Sequence, residues 1–160
     1  MKRVLSMVAV AGLLAAGGAG FLLGSAAQAV PEPQEACAFD QVTTTADAGS
    51  RPIPGLQVSV TNSALGVRKA IVQLSADTGV DPGAEVRVAY SVDGGPPQEG
   101  VFGPANLANH QEFFEARTVI AVIPLPRGGH TITAHWRVSG VSGKRATIDN
   151  RCMTVELRSE

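Results

Sequence analysis

A period of two is the strongest constraint on how this chain can fold. In residues 130–138, Ile132, Ala134, Trp136 and Val138 alternate with Thr131, Thr133, His135 and Arg137. In residues 85–92, Val86, Val88, Tyr90 and Val92 alternate with Glu85, Arg87 and Ser91, and Leu56, Val58 and Val60 alternate with Gln57, Ser59 and Thr61. Successive side chains of a strand point to opposite faces, so this is the pattern of half-buried strands. Glycine- and proline-rich turns punctuate the pattern around residues 49–55, 93–95, 124–129 and 140–143. Only residues 106–117 leave room for a helical turn or two. The chain reads as all-β, a single β-sandwich of about seven or eight mainly antiparallel strands. An immunoglobulin-like order is the first expectation and a jelly roll the alternative.

Details follow from the same alternation. Residues 36–45 read as a first strand, 70–76 as another, 77–83 as a loop, and 98–102 as a short return strand after the Asp93-Gly94-Gly95 turn. In residues 146–157 the phase slips between Ile148 and the Met153, Val155 and Leu157 set, which predicts a β-bulge near 149–151. Residues 118–123 are apolar on both faces, Val119, Ala121 and Ile123 against Ile120 and Val122, so a loop or a second subunit must cover the outer one. Of the adjacent Phe113 and Phe114, one must leave the core if the chain is extended there. Tyr90 and Trp136 fall on apolar phases and read as core rather than as sugar-stacking rings.

Part of the chain resembles bacterial immunoglobulin-like domains. The residues concerned are Tyr90-Ser91-Val92-Asp93-Gly94-Gly95, then Ile123-Pro124-Leu125-Pro126-Arg127-Gly128-Gly129-His130-Thr131-Ile132-Thr133-Ala134, then Ser142-Gly143 before a last strand. The resemblance implies a binding or spacer module and transfers no active site. Trp136-Arg137-Val138 stands where such domains often carry an Asp-containing turn. The Cys…Trp…Cys order of antibody domains is missing, because Trp136 is not central between the two cysteines.

Residues 1–29 read as a secretory signal peptide: Lys2 and Arg3, an uncharged apolar run, and a small-residue close at Ala27-Gln28-Ala29. An uncleaved anchor is the rival, opposed by Gly12, Gly17, Gly18, Gly20 and Gly24 within the run. Residues 30–36 then read as a linker and 37–160 as the sandwich domain. With Lys2 and Arg3 removed from the 13 basic residues, 14 acidic ones leave a net charge of −3. No basic stripe exists to displace phosphate counterions, so nucleic acid is not an expected partner, nor is a membrane once the leader is cleaved. Cys37 and Cys152, one near each end of the exported part, read as one structural disulfide that ties the first strand to the last.

Candidate sites are few. His130 and His135 differ by an odd number and point to opposite faces, so they do not make a zinc site, and no metal or other cofactor is expected. Asp77, Asp81 and Glu85 space three carboxylates along a loop, a calcium-like arrangement set against simple Asp-initiated turns. The densest polar group is His110 with Glu112, Glu115 and Arg117. The leading reading is a secreted, non-enzymatic β-sandwich module that binds an unidentified protein or its own copies. Its candidate surface is His110, Glu112, Arg117, Thr131, Thr133, His135 and Arg137. The alternatives are a small extracellular hydrolase or lyase using His110 and a nearby carboxylate, and a secreted inhibitor of an extracellular hydrolase.

Overall fold

The alternating segments become strands whose pairing is nested rather than sequential. A computed structural model describes residues 32–98, 106–109 and 115–158. The expected leader lies outside them, as do His110, Glu112, Phe113 and Phe114. Among the described residues there are nine strands: β1 (Gln34–Ala38), β2 (Val42–Thr45), β3 (Arg51–Asn62), β4 (Arg68–Val80), β5 (Glu85–Val92), β6 (Asn106–Asn109), β7 (Glu115–Leu125), β8 (Gly128–Ser139) and β9 (Arg145–Arg158). Sheet A runs β1-β9-β4-β7, with β2 also on β9, and sheet B runs β3-β8-β5-β6. Every pairing is antiparallel.

The pairs β2–β9, β3–β8, β4–β7 and β5–β6 fit inside one another. They describe one long antiparallel ribbon rolled up so that alternate pairs fall in alternate sheets, which is the jelly-roll arrangement. An immunoglobulin sandwich instead places sequential strands such as A and B, or F and G, side by side. The sandwich expectation therefore holds, and the immunoglobulin-like order gives way to the alternative. Its motif residues form turns and strand ends that either topology uses.

The core follows the alternation. Val58 and Val60 on β3, Val72 and Leu74 on β4, Val86, Val88 and Tyr90 on β5, and Ile132, Ala134 and Trp136 on β8 are buried between the sheets. Asp93 and Gly94 both take positive φ, 52° and 72°, and the Gly95 amide donates to the Val92 carbonyl at 2.9 Å. This is the two-residue turn that matches strand twist. Among the described residues the return is the bridge from Tyr90 to Gln98, and the rest of the expected strand, 99–102, lies outside them.

Several boundaries differ from expectation. The segment read as a loop at 77–83 is strand as far as Val80, because β4 pairs with β7 to Thr78 and with β9 to Val80. The stretch with room for helix supplies β6 and the start of β7. β1 begins at Gln34, opposite Val155, inside the segment expected as linker. On β7, Val119 and Ala121 are buried, while Ile120 on the opposite face stays 46% exposed.

The first expected strand is split into β1 and β2, and the cause lies on β9. Ser75 pairs with Cys152 and Asp77 with Asp149, so β9 carries one extra residue there, with Asn150 at φ 40°. This is the bulge the phase slip predicts. It turns Arg151 inward, where the residue is fully buried. Its Nε donates to the Pro54 carbonyl at 2.8 Å and its Nη2 to Asp40 Oδ1 at 2.8 Å, and Nη1 donates to the Asp40 carbonyl. Asp40 sits in the break between β1 and β2. Gly55, at φ 79°, presses on Ala38 so closely that a Cβ there would lie 2.7 Å from the Ala38 Cβ. Beside this pin, Cys37 and Cys152 stand directly opposite one another and form the expected disulfide, with Cα atoms 4.1 Å apart.

Arg151→Ala is expected to lower unfolding free energy by about 3 kcal/mol, because it strands two carbonyls and removes charge-assisted bonds. Urea unfolding of the oxidised protein measures this. A loss under about 1 kcal/mol, the range of an ordinary surface change, would show that Arg151 is not a structural pin.

Candidate functional site

The outer face of sheet B gathers four of the seven candidate surface residues. β8 presents Thr131, Thr133, His135 and Arg137 away from the core, because Ile132, Ala134, Trp136 and Val138 occupy the inward phase. On one side β3 sets Ser59 opposite Thr131 and Gln57 opposite Thr133. On the other side β5 sets Ser91 opposite Thr133, Ala89 opposite His135, and Arg87 opposite Arg137. Ser59 and Thr131 hydroxyls lie 3.4 Å apart. The result is a ladder of hydroxyls and amides with a pair of arginines at one end.

His135 is half-buried and locked. Its Nε2 lies 2.9 Å from Ser91 Oγ, and Ser91 is itself buried. Its Nδ1 is buried without a hydrogen-bond partner among the described residues. Burial pushes the His135 pKa down, so the ring is neutral near pH 7.

Beside this ladder a groove of about 180 Å³ opens between Ser50, Arg87, Ala89, Pro97 and Arg137, with Val88 and Trp136 also lining it. The end of β3 adjoins it. Pro52 pairs with His135 and the next paired residue is Gln57, opposite Thr133. The intervening residues leave the ladder, with Ile53 and Leu56 buried in the core, and Ser50 follows the Arg51–Trp136 pair to the groove edge. The bulge is the segment that Arg151 holds through the Pro54 carbonyl.

The other candidate residues lie elsewhere. Arg117 is on β7 in sheet A, opposite Ala76, and does not join the row on sheet B. His110 and Glu112 lie outside the described residues. The three carboxylates of the calcium-like reading have other engagements. Asp77 accepts from Asn150 Nδ2 at 2.9 Å, Asp81 accepts from the Arg145 amide at 2.8 Å, and Glu85 pairs with Arg87 at 3.2 Å. Among the described residues one group of potential metal ligands converges, Glu35 with Cys37 and Cys152. Both sulfurs are consumed by the disulfide and offer no thiolate.

A second polar cluster, not singled out from the sequence as a group, closes one end of the sandwich. Asp93 Oδ1 accepts from the Thr131 amide at 2.7 Å, and Oδ2 lies 2.8 Å from His130 Nδ1. The His130 Nε2 faces the Pro126 carbonyl at 3.0 Å. Asn62 Nδ2 donates to the carbonyls of Gly66, Leu125 and Pro126. Both His130 nitrogens therefore face acceptors, which suits the imidazolium. The hydrogen bond to Asp93 raises the His130 pKa, and the Thr131 amide followed by His130 lowers that of Asp93. Position 130 directly after Gly128-Gly129 was the available signal.

No protein-family model matches the chain, and no curated protein matches it in sequence. Among solved structures, it is similar to the infectious bursal disease virus Gx strain protein, with a TM-score of 0.46 and 11% identity over 79% of this chain. The chain spans 32% of the length of that viral protein. It is also similar to the Eiger TNF of S. frugiperda, with a TM-score of 0.40 and 11% identity, over 80% of this chain and 93% of the other. A third similarity is to an exo-β-1,3-galactanase of Phanerochaete chrysosporium, with a TM-score of 0.34 and 18% identity, over 72% of this chain and 29% of the other. The disulfide fits an oxidising compartment. Among the described residues no helix is long and apolar enough to cross a membrane.

Protonated His130 is held by Asp93, so its contribution is complete below the ordinary imidazole value of 6.5 and is lost as pH rises through the higher folded value. Asp93 contributes above the ordinary carboxylate value of 3.8 and loses that contribution as pH falls through its lowered folded value. NMR titration of the ring protons should place the His130 midpoint above 6.5 and that of His135 below it, with Asp93→Asn bringing His130 down. A His130 midpoint at or below 6.5 in the unmodified protein contradicts the latch.

Proposed function

We propose that the protein is an exported, non-enzymatic binding module that meets a protein partner through the outer face of sheet B. The observation that carries this reading is the row Thr131, Thr133, His135 and Arg137, held in register between Gln57 and Ser59 on one side and Ser91, Ala89 and Arg87 on the other. The face offers hydrogen-bonding groups on a strand scaffold, which limits the ordering cost of association. The groove at its arginine end adds a concave feature for a projecting side chain. Export is supported by the signal-like first 29 residues together with the disulfide.

Thr133 sits at the middle of the ladder, so Thr133→Arg places a long cation across the face without touching the core. Immobilised unmodified and variant proteins, exposed to envelope and secreted proteins of the producing cells, give the test by mass spectrometry of what is retained. The expected outcome is a retained protein whose capture falls by about tenfold or more in the variant, with the melting temperature unchanged. Equal capture by both proteins would remove the face from the account. A stable dimer in light scattering that Ile120→Lys dissociates would move the function to sheet A.

A further inference from the structure

We infer that the groove between Arg87 and Arg137 is a receptor for a carboxylate side chain, so that the partner is recognised through an acidic segment. This rests on the proposed binding role of sheet B and adds the chemistry of the ligand. Arg87 and Arg137 are direct cross-strand neighbours on β5 and β8, both on the outward phase. Side chains in that relation have Cβ atoms roughly 4.5–5.5 Å apart, and like charges so placed repel. The chain thus keeps two guanidiniums together at a local cost to the sheet. Arg87 is engaged, its Nε lying 3.2 Å from Glu85 Oε1, so the guanidinium offered to a ligand is that of Arg137. Among the described residues no carboxylate lies within ion-pair distance of Arg137, which is exposed.

The surroundings define what fits. Ala89, the next outward residue of β5, leaves space where a larger side chain would fill the groove between the strands. Ser50 brings a hydroxyl to the rim, and Pro97 supplies an apolar wall. The open groove, about 180 Å³, has room for one side chain or a small planar anion. Guanidinium forks match the two oxygens of a carboxylate and bind it bidentately. The positive groove lies on a chain with 14 acidic and 13 basic residues, so net charge does not account for it.

The probe is a fluorescein-labelled, N-acetylated decamer of glutamate, followed by fluorescence anisotropy with the oxidised protein at low and physiological salt. Saturable binding is expected, weakened about tenfold by Arg137→Gln. Binding should be unchanged by Arg158→Gln, which removes an arginine from sheet A. Ala89→Glu tethers a carboxylate inside the groove and should abolish probe binding while the melting temperature is kept, separating occupancy from misfolding. Failure of the probe to bind, equal weakening by Arg137→Gln and Arg158→Gln, or undiminished binding to the Ala89→Glu protein would overturn the assignment. So would Arg137-dependent binding of a sulfated oligosaccharide with none of the glutamate decamer. If the Thr133→Arg change abolishes partner capture while the decamer ignores Arg137, the face stands and the ligand class falls. If the decamer needs Arg137 but Thr133→Arg leaves capture intact, the groove stands and the face as partner surface falls.

Discussion

One buried guanidinium joins the parts of this sandwich that strand pairing alone leaves separate. Arg151 lies on β9 in sheet A, yet it bonds Pro54 on β3 in sheet B and Asp40 in the break between β1 and β2. An arginine interior to a β-sandwich is tolerated only when its donors find acceptors. Here the acceptors are two backbone carbonyls that have left the ladder and one carboxylate. The bulges of β9 and β3 and the split edge are therefore one feature. Extra residues on two strands free the carbonyls, and the arginine consumes them. Gly55 permits the approach, and the adjacent disulfide holds β1 against β9.

The strand that Arg151 holds also runs beside the surface proposed as functional. β3 departs from β8 between Pro52 and Gln57, opposite Ala134, and pairs again at Pro52–His135 and Arg51–Trp136, so that Ser50 reaches the groove lined by Ala89 and Arg137. The opposite end of the sandwich is closed by small, local bonds: Asn62 on three carbonyls, and Asp93 between His130 and the Thr131 amide. One end of the molecule is thus closed by local bonds, while the groove with the paired arginines lies on the outer face of sheet B.

What the sequence reveals depends on the range of each interaction. Strand phases depend on neighbours two residues apart, so Val86, Val88, Tyr90 and Trp136 are legible as core and Thr131, Thr133, His135 and Arg137 as outward. The bulge is legible because Ile148 and Met153 cannot share a face on a regular strand. Arg151 was legible in principle, since it continues the inward set of Met153, Val155 and Leu157, but an arginine at such a position is ordinarily taken for a surface residue. The nested order was not legible. The Asp93-Gly94-Gly95 turn is local chemistry and implies a hairpin, whereas β5 takes β8 as its long partner. The juxtaposition of Arg87 with Arg137 depends on that distant register, and the groove follows from it. The cluster at His110 and Glu112, prominent in composition, lies outside the described residues, and Arg117 belongs to the other sheet.

The central claim is that sheet B, not sheet A, meets the partner. Arginine-selective labelling with phenylglyoxal, on the purified protein and on the protein within the cells that make it, addresses this directly when modified residues are read by mass spectrometry. The account predicts that Arg137 reacts in the purified protein and is protected in its native setting, while Arg158 on sheet A reacts in both. Protection of Arg158 with Arg137 equally reactive in both settings would contradict it.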